Sequence, residues 1–241
     1  MTDKLVPVDV STLQERVYQT LRQALYQGQF APGETVTIRG LASALGTSAM
    51  PVREALQRLV AEKALIQTPS RSVKVAPFTP EMFAELIRIR MTIEGMAAGR
   101  AALNSTPALV EKLEAINTEM KAAIASGFSS VTGDVLDANR RFHFTIYEAA
   151  EMPQLLEIIS GMWLRTGPYL RVAYRTGATH PFSRGARIHD RVIEGMRQRN
   201  PRRASYNLTL DIWATARWFR KNHLAEITFE EEPQKRLRAL P

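Results

Sequence analysis

The sequence predicts a mainly α-helical protein in two parts, namely three helices with a small β-hairpin and then an all-α antiparallel helical bundle. Apolar residues recur at helical spacing along almost the whole chain, which favours helices over strands. Strand-like runs occur only at residues 64–67 and 73–76, on either side of a polar turn. With 241 residues, of which 45% are hydrophobic, the chain can form two packed domains.

The first predicted helix carries an apolar stripe and stops at a glycine. The stripe consists of residues four positions apart, Leu13, Val17, Leu21 and Leu25. Gly28 follows where a helix commonly ends, and Pro32-Gly33 predicts a turn. Thr37 has a capping side chain, so a second helix that carries Arg39 is expected to begin there.

Residues 41–59, LASALGTSAMPVREALQRL, predict a helix, a tight turn and another helix. Gly46 suits the left-handed conformation that ends a helix, and the hydroxyl of Ser48 is expected to cap the next one. Pro51 is tolerated in a first turn, because the amides there have no partners within the helix. The buried stripe of the second helix is predicted to comprise Val52, Leu56, Leu59 and Val60.

The outward face of that second helix has the features of a DNA-reading surface. Arg53 lies off the buried stripe, and an arginine in the major groove can donate two parallel hydrogen bonds to guanine. Reading usually falls to the N-terminal part of such a helix, here residues 48–53, which adds Ser48, Met50 and Pro51. From periodicity alone, two packed helices of an ordinary bundle fit equally well.

The two strand-like runs predict a hairpin, or wing, because a polar turn at residues 68–72 joins them. Arg71 lies in this turn and Lys74 in the second strand, and both are expected to contact DNA. Three helices and a hairpin in this order form a winged helix-turn-helix.

Residues 13–78 resemble the DNA-binding domain of the GntR family of bacterial transcription regulators. The resemblance rests on VYQTLRQALYQGQFAPGE, LASALGTSAMPVREALQRLVAEKALI and SRSVKVAPF, of which PVREAL is the most specific part. It implies that Arg39, Ser48 and Arg53 contact an operator. Because this chain has Ala49 where the family usually has an arginine, we expect its base preference to differ from the family's usual one.

The net charge of +8 is unevenly distributed. Residues 164–223 contain 13 Lys and Arg against 3 Asp and Glu, whereas residues 1–78 contain 9 against 6. The excess in the late helices fits an anionic ligand, a phosphate surface or a solvated face. The chain has no cysteine, no window that resembles a membrane span and no secretion signal, which together predict a cytoplasmic protein.

The residues Thr79-Pro80-Glu81 have the composition of a helix start and set the predicted domain boundary. We expect a DNA-binding domain at residues 1–77, an effector-binding and dimerisation domain at 78–230, and a charged tail at 231–241. The second domain is predicted to contain six helices, at residues 79–103, 106–127, 134–151, 153–175, 183–199 and 201–223, with a loop at 176–182. Such a bundle has room for a ligand between its helices.

Residues 80–223 resemble the ligand-binding domain of the FadR-like (FCD) subgroup of the same family. The resemblance rests on three motifs, Arg90-Met-Thr-Ile-Glu94, Asn139-Arg-Arg-Phe142-His143, and His189 with Val192. It implies a divalent metal, since many members hold one. The positions that match the family's metal ligands are here Asn139, His143, His189 and Asp211.

The altered ligand set still predicts a metal site. Asn139 and His143 lie four residues apart and share a helix face. His143, His189 and Asp211 would supply two imidazoles and one carboxylate, a set that binds zinc, nickel, manganese or iron and leaves positions open for water or substrate. The alternatives are a polar pocket held together by hydrogen bonds, and residues that do not meet at all.

The resemblance also implies a small carboxylate, a sugar acid or a related metabolite as effector. The planar guanidinium group of arginine pairs with a carboxylate through two charge-assisted bonds. Arg90 is the first candidate, because it matches the arginine before Ile-Glu in the family's opening helix. Asn139, Arg165 and Tyr169 are further candidates, with an ordinary helix-surface salt bridge as the alternative for Arg165.

These features predict a homodimeric transcription regulator rather than an enzyme. The expected activity is repression of a catabolic operon, with a small anionic metabolite releasing the dimer from an inverted repeat in double-stranded DNA. Two other classes stay open at this point. One is a metal-dependent enzyme that uses the two histidines and one carboxylate, and the other is an architectural DNA-binding protein without a ligand pocket.

Overall fold

The computed structural model describes residues 13–68, 72–77, 79–126, 132–175 and 180–223. Within these ranges the chain forms a small domain of helices and short strands, followed by a domain that is entirely helical. The fold class predicted from the sequence is confirmed. In the described ranges, no helix is long and apolar enough to cross a membrane.

The N-terminal domain combines three helices with a three-stranded sheet. Its elements are α1 (Leu13–Tyr26), β1 (Thr35–Val36), α2 (Ile38–Ala44), α3 (Ala49–Ala61), β2 (Leu65–Gln67) and β3 (Val73–Val75). Strand β3 lies between β1 and β2 and pairs antiparallel with both, so that Leu65 is opposite Val75 and Thr35 is opposite Lys74. The hairpin β2–β3 is the predicted wing. Strand β1 was not predicted, because two residues are too few to show a period-2 pattern.

The apolar stripes of α1 and α3 form the core of this domain. Their most deeply buried members are each at most 3% exposed, namely Leu21, Leu25, Val52, Leu56 and Leu59. Leu13 is 48% exposed at the first residue of α1, and Val60 is only half-buried. Each stripe is therefore one residue shorter than the sequence pattern predicts.

The turn between α2 and α3 is formed as expected, with one correction. Gly46 has a φ of +61°, and Ser48 lies at the N-cap position of α3. The hydroxyl of Ser48 makes no capping hydrogen bond, so the prediction of a side-chain cap is wrong. A cap oxygen usually accepts from the second or third amide of the helix, and the third residue of α3 is Pro51, which has no N–H.

All secondary-structure elements in the described residues of the C-terminal domain are helices. They are α4 (Pro80–Leu103), α5 (Pro107–Ala125), α6 (Thr132–Ala149), α7 (Pro153–Arg175), α8 (His180–Arg197) and α9 (Pro201–His223). Thr79 and Thr106 cap α4 and α5 through side-chain oxygens that accept from Met82 N and Leu109 N.

The largest difference between a predicted and an observed helix boundary in this domain is at the start of α8. Helix α8 begins at His180 and not at Ser183, so part of the predicted loop at residues 176–182 is helical. Pro181 suggests a loop in the sequence, but proline is tolerated in the first turn of a helix. The rest of that loop, residues 176–179, and the predicted tail lie outside the described residues.

Helices α1 and α7 join the two domains. Leu164 of α7 is fully buried in the core of the N-terminal domain, and the hydroxyl of Tyr26 donates to the carbonyl oxygen of Ser160 at 3.2 Å. A Cβ atom at Gly167 would lie 3.0 Å from the Cα of Tyr26 and would overlap the carbonyl oxygen of Leu25. The absence of a side chain at residue 167 thus allows the two helices to pack closely.

Candidate functional site

The start of α3 exposes several of the residues predicted to contact DNA. Ser48, Met50 and Arg53 are exposed, and Met50 is 61% exposed. Pro51 is buried, so its ring is not part of this outward face. Arg39 of α2 is also exposed. Ser48, Met50 and Arg53 are thus accessible in the N-terminal part of α3, the part from which recognition helices usually contact bases.

Arg53 and Arg58 of α3 differ in what holds them. The Arg58 guanidinium lies 3.5 Å from the centre of the Tyr18 ring and 2.6 Å from a carboxylate oxygen of Glu15. Arg53 makes no ion pair with any residue that the structure describes. Of the two arginines, Arg53 is therefore the one available to an external acceptor.

The wing carries the remaining predicted DNA contacts. Lys74 lies in the central strand β3 and is half-buried, with Thr35 and Ile66 opposite it on the neighbouring strands. Arg71 lies outside the described residues.

A cavity of about 50 Å³ opens between the helices of the C-terminal domain, room for roughly four water molecules. Its polar wall includes Arg90, Asn139, His143, Thr166, Tyr169 and Asp211. Three of the predicted effector residues therefore lie together. The fourth, Arg165, is not among the lining residues; it is half-buried, and its charge interacts with that of Glu85.

The three predicted metal ligands meet beside this cavity. His143 of α6, His189 of α8 and Asp211 of α9 are buried, and each has a ligand atom within 4.8 Å of the others. The Nε2 atom of His143 lies 3.1 Å from Oδ2 of Asp211, and the Nε2 atom of His189 lies 3.6 Å from the same oxygen. The His189 ring stacks on the Phe142 ring with centroids 3.8 Å apart, which fixes its plane.

Arg90 is already paired with a carboxylate of its own helix. Its Nε and one terminal nitrogen donate to the two oxygens of Glu94 at 2.5 and 3.2 Å, and its other terminal nitrogen donates to Thr166 Oγ1 at 3.2 Å. Glu94 also accepts from the hydroxyl of Tyr147, and from the indole nitrogen of Trp163 at 3.2 Å. A ligand near Arg90 therefore meets an arginine that is held in place on two sides.

The proton on Tyr147 determines the state of the neighbouring histidine. Because Tyr147 donates its only proton to Glu94, its oxygen accepts from Nδ1 of His143 at 3.0 Å. The Nε2 atom of His143 then has two options. It carries a second proton that it donates to Asp211, or it presents a lone pair to a cation beside Asp211.

The buried charges around the cavity do not cancel. Burial lowers the pKa of His189 and outweighs the opposing effect of Asp211, so that His189 is neutral. Burial alone would raise the pKa of Asp211, but the hydrogen bond with His143 and the proximity of the His189 ring, 3.6 Å away, outweigh it and hold the pKa below its usual range. Arg90 thus faces two buried carboxylates, Glu94 and Asp211, and one positive charge is needed for balance.

Comparison with known families identifies the chain. The model described as "Bacterial regulatory proteins, gntR family" matches residues 13–75, and the FCD domain model matches residues 85–210, more than half of the chain. The chain belongs to the GntR family. It is a DNA-binding transcriptional regulator of the GntR/FCD type, and the predicted absence of an enzymatic role is confirmed by the regulators that it matches.

This GntR-family chain is similar to two proteins named as regulators and to a solved structure. It is 34% identical to the HTH-type transcriptional regulator McbR of Escherichia coli (strain K12) over 66% of this chain and 71% of that protein. It is 26% identical to a probable D-xylose utilization operon transcriptional repressor of Paenarthrobacter nicotinovorans, over 83% of this chain and 85% of the relative. The solved structure of E. coli McbR/YncC has a TM-score of 0.83 and covers 89% of this chain and 100% of its own, at 26% identity.

Glu94, Tyr147 and Thr166 of this GntR-family regulator belong to the cavity network but are not among the site residues predicted from the sequence. Glu94 follows Arg90 by four residues, and Tyr147 follows His143 by four, the spacing at which side chains meet on a helix. The sequence alone therefore contains a signal for both contacts. Thr166 is different, because only the packing of α7 against α4 brings it to Arg90.

Proposed function

We propose that this GntR-family regulator is a homodimeric repressor of a catabolic operon and that a small carboxylate releases it from its operator. The observation that carries the proposal is the double role of α7. Its Thr166 accepts a hydrogen bond from Arg90 at the cavity, and the next residue, Gly167, packs against α1 of the DNA-binding domain. A ligand that shifts Arg90 therefore acts on the helix that holds the reader.

The repressor assignment draws on a relative. The chain is similar over most of its length to a protein named as a probable D-xylose utilization operon transcriptional repressor. From that name we take only repression as the mode of action and a catabolic operon as the target. We infer the ligand from the residues that line the cavity of this chain.

The effector is a small acid in this proposal. A cavity of about 50 Å³ admits a few heavy atoms. Arg90 donates to the acid in exchange for its bond to Thr166, while Asn139 and Tyr169 supply neutral polar contacts. The pairing of Arg90 with Glu94 orients the guanidinium in advance, which reduces the entropy lost on binding.

The buried cluster fits a divalent metal on chemical grounds. Among the described residues, neither ring nitrogen of His189 lies within hydrogen-bond distance of a partner. The buried Arg90, Glu94 and Asp211 leave one negative charge, which either a bound cation or a second proton on His143 balances. We propose that His143, His189 and Asp211 hold zinc, nickel, manganese or iron. Such an ion supplies a Lewis-acidic position for a carboxylate oxygen of the effector. Tyr147 keeps His143 in the tautomer that exposes Nε2.

At the operator, we propose that Arg53 reads a base in the major groove. Arg39, Ser48 and Lys74 contact the DNA backbone and fix the position of the protein along the duplex. Two copies related by a two-fold axis then contact an inverted repeat. Effector binding favours a bundle packing in which the two readers no longer match the spacing of that repeat.

The experiment has two steps. The full chain, loaded with each of the four metal ions, is first screened by thermal melting against a library of small carboxylates. Acids that raise the melting temperature are then added to complexes with DNA selected from a random pool. We expect at least one acid to stabilise the protein and to weaken DNA binding. If every stabilising acid leaves DNA binding unchanged, or if none stabilises the protein, the ligand-released repressor is refuted.

A further inference from the structure

One face of α4 is apolar, exposed and regularly spaced. Its members lie seven residues apart and are between 38% and 51% exposed, namely Met82, Ile89, Met96 and Leu103. Because seven residues make almost two helical turns, these side chains lie along one side of the helix, with a drift of about 20° from each to the next. Elsewhere α4 packs against α6, α7, α8 and α9. A stripe of this length on a protein surface is typical of a contact with another chain.

The charges beside the stripe complement one another when the helix is turned end to end. Glu85 near the start of α4 and Arg100 near its end are both exposed. Two copies of α4 can lie antiparallel about a two-fold axis beside Thr92. Residue 85 of one copy is then level with residue 100 of the other. Glu85 therefore lies opposite Arg100 at both ends of the helix pair.

The same axis also aligns the apolar residues. Met82 of one copy is level with Leu103 of the other, and Ile89 is level with Met96. All four members of the stripe therefore find apolar partners in a single arrangement. Arg100 makes no ion pair with a described residue of its own chain, whereas Glu85 also interacts with Arg165.

We propose that this α4 stripe is the surface through which two copies of the chain pair, antiparallel and about a two-fold axis beside Thr92. The inference rests on the homodimer of the proposed function and assigns that homodimer an interface. A second copy is the occupant that fits, because a self-complementary order of acid, apolar and basic residues is what an isologous contact requires. An unrelated protein partner would need no such symmetry in this helix.

The test exchanges charges in the full chain and measures association by sedimentation velocity. Glu85→Arg alone puts two basic residues level with each other at both ends of the interface, and Arg100→Glu alone puts two acidic residues there. We expect each variant to dimerise about tenfold more weakly than the wild type. An equimolar mixture of the two variants is expected to form heterodimers of near wild-type affinity, because each chain then complements the other. The double variant Glu85→Arg/Arg100→Glu should also recover self-association.

Matched apolar variants complete the test. Ile89→Glu within the stripe should weaken dimerisation on the order of a hundredfold. Ile158→Glu, at an isoleucine of α7 that is 54% exposed against 38% for Ile89, should leave dimerisation unchanged. Melting curves establish that each variant is folded.

If both single charge variants and Ile89→Glu dimerise with the affinity of the wild type, the α4 interface is overturned. The homodimer of the proposed function is then unaffected. If the wild-type chain is monomeric both in solution and when bound to DNA, the α4 interface and the homodimer are both overturned.

Discussion

Gly167 of α7 lies so close to Leu25 of α1 that a methyl group at Gly167 would overlap the carbonyl oxygen of Leu25. The preceding residue, Thr166, accepts a hydrogen bond from Arg90 in the wall of the cavity. One turn of one helix therefore contacts both the ligand-binding region and the DNA-binding domain. This relationship makes residue 167 the most direct place to test whether the domains communicate.

Replacing Gly167 with alanine should loosen the domain contact. The backbone of α1 must move to accept the new methyl group, and we expect a loss of about 1–3 kcal/mol in the free energy of unfolding. Gly161→Ala is the matched control in the same helix, because a Cβ there has no atom within 4 Å. It should stabilise the protein by up to about 1 kcal/mol, since alanine is the better helix former. Denaturant titration measures the free energy of unfolding of both variants. Equal changes in the two variants would contradict the close packing of Gly167 against α1.

Replacing Arg53 with alanine should weaken and relax operator recognition. The loss of one base contact is expected to cost about 1–3 kcal/mol and to reduce discrimination at a single base pair. Arg58→Ala is the comparison, because Arg58 is tied to Glu15 and Tyr18. Binding to single-base variants of the selected operator measures both. A uniform loss over all operator variants would make Arg53 a phosphate contact.

Removing the side chain of Arg90 should destabilise the protein as well as remove a ligand contact. Arg90→Ala leaves Glu94 buried without its ion-pair partner, which is expected to cost about 3–5 kcal/mol. Arg90→Met combined with Glu94→Gln should recover much of that loss, because no buried charge is then unpaired. Arg88→Ala, at an exposed arginine of the same helix, should change stability by less than about 0.5 kcal/mol. An Arg90→Ala variant as stable as Arg88→Ala would show that the Arg90–Glu94 pair is not important for stability.

Replacing Asp211 with asparagine should abolish metal binding. The change removes the only carboxylate of the cluster that contains His143 and His189, while it keeps the size of the side chain. Asp190→Asn, next to His189 but exposed and paired with Lys121, is the control and should keep its metal. The metal content of each variant is measured by elemental analysis, after the protein has been stripped with a chelator and reconstituted with metal. Wild-type protein without stoichiometric metal would favour the alternative in which His143 is protonated and paired with Asp211.

Local signals in the sequence were sufficient for most of the fold. Capping threonines at Thr79 and Thr106 and the prolines after them predicted the starts of α4 and α5 to within one residue. At Ser48 and Pro181 the same kind of signal misled. Ser48 makes no side-chain cap, and Pro51 removes the third of the helix amides that a cap can use. Pro181 lies in the first turn of α8 and not in a loop.

The candidate site was less predictable, because its geometry depends on contacts between distant helices. His143, His189 and Asp211 lie on three different helices, and only the packed bundle brings them within 4.8 Å of one another. The pairing of Arg90 with Glu94 was readable from the four-residue spacing, whereas the approach of Thr166 was not. Spacing along one helix is local, but the relative position of two helices depends on the whole core.

In the proposed mechanism, a ligand in the bundle cavity lowers the affinity of the DNA-binding domain for its operator. The most direct measurement is the Kd for the selected operator as a function of the concentration of an acid that raises the melting temperature of the metal-loaded protein. We expect Kd to rise at least about tenfold at saturation, which corresponds to a coupling of about 1.4 kcal/mol between the two sites. An acid that stabilises the protein to saturation while Kd stays constant would contradict it.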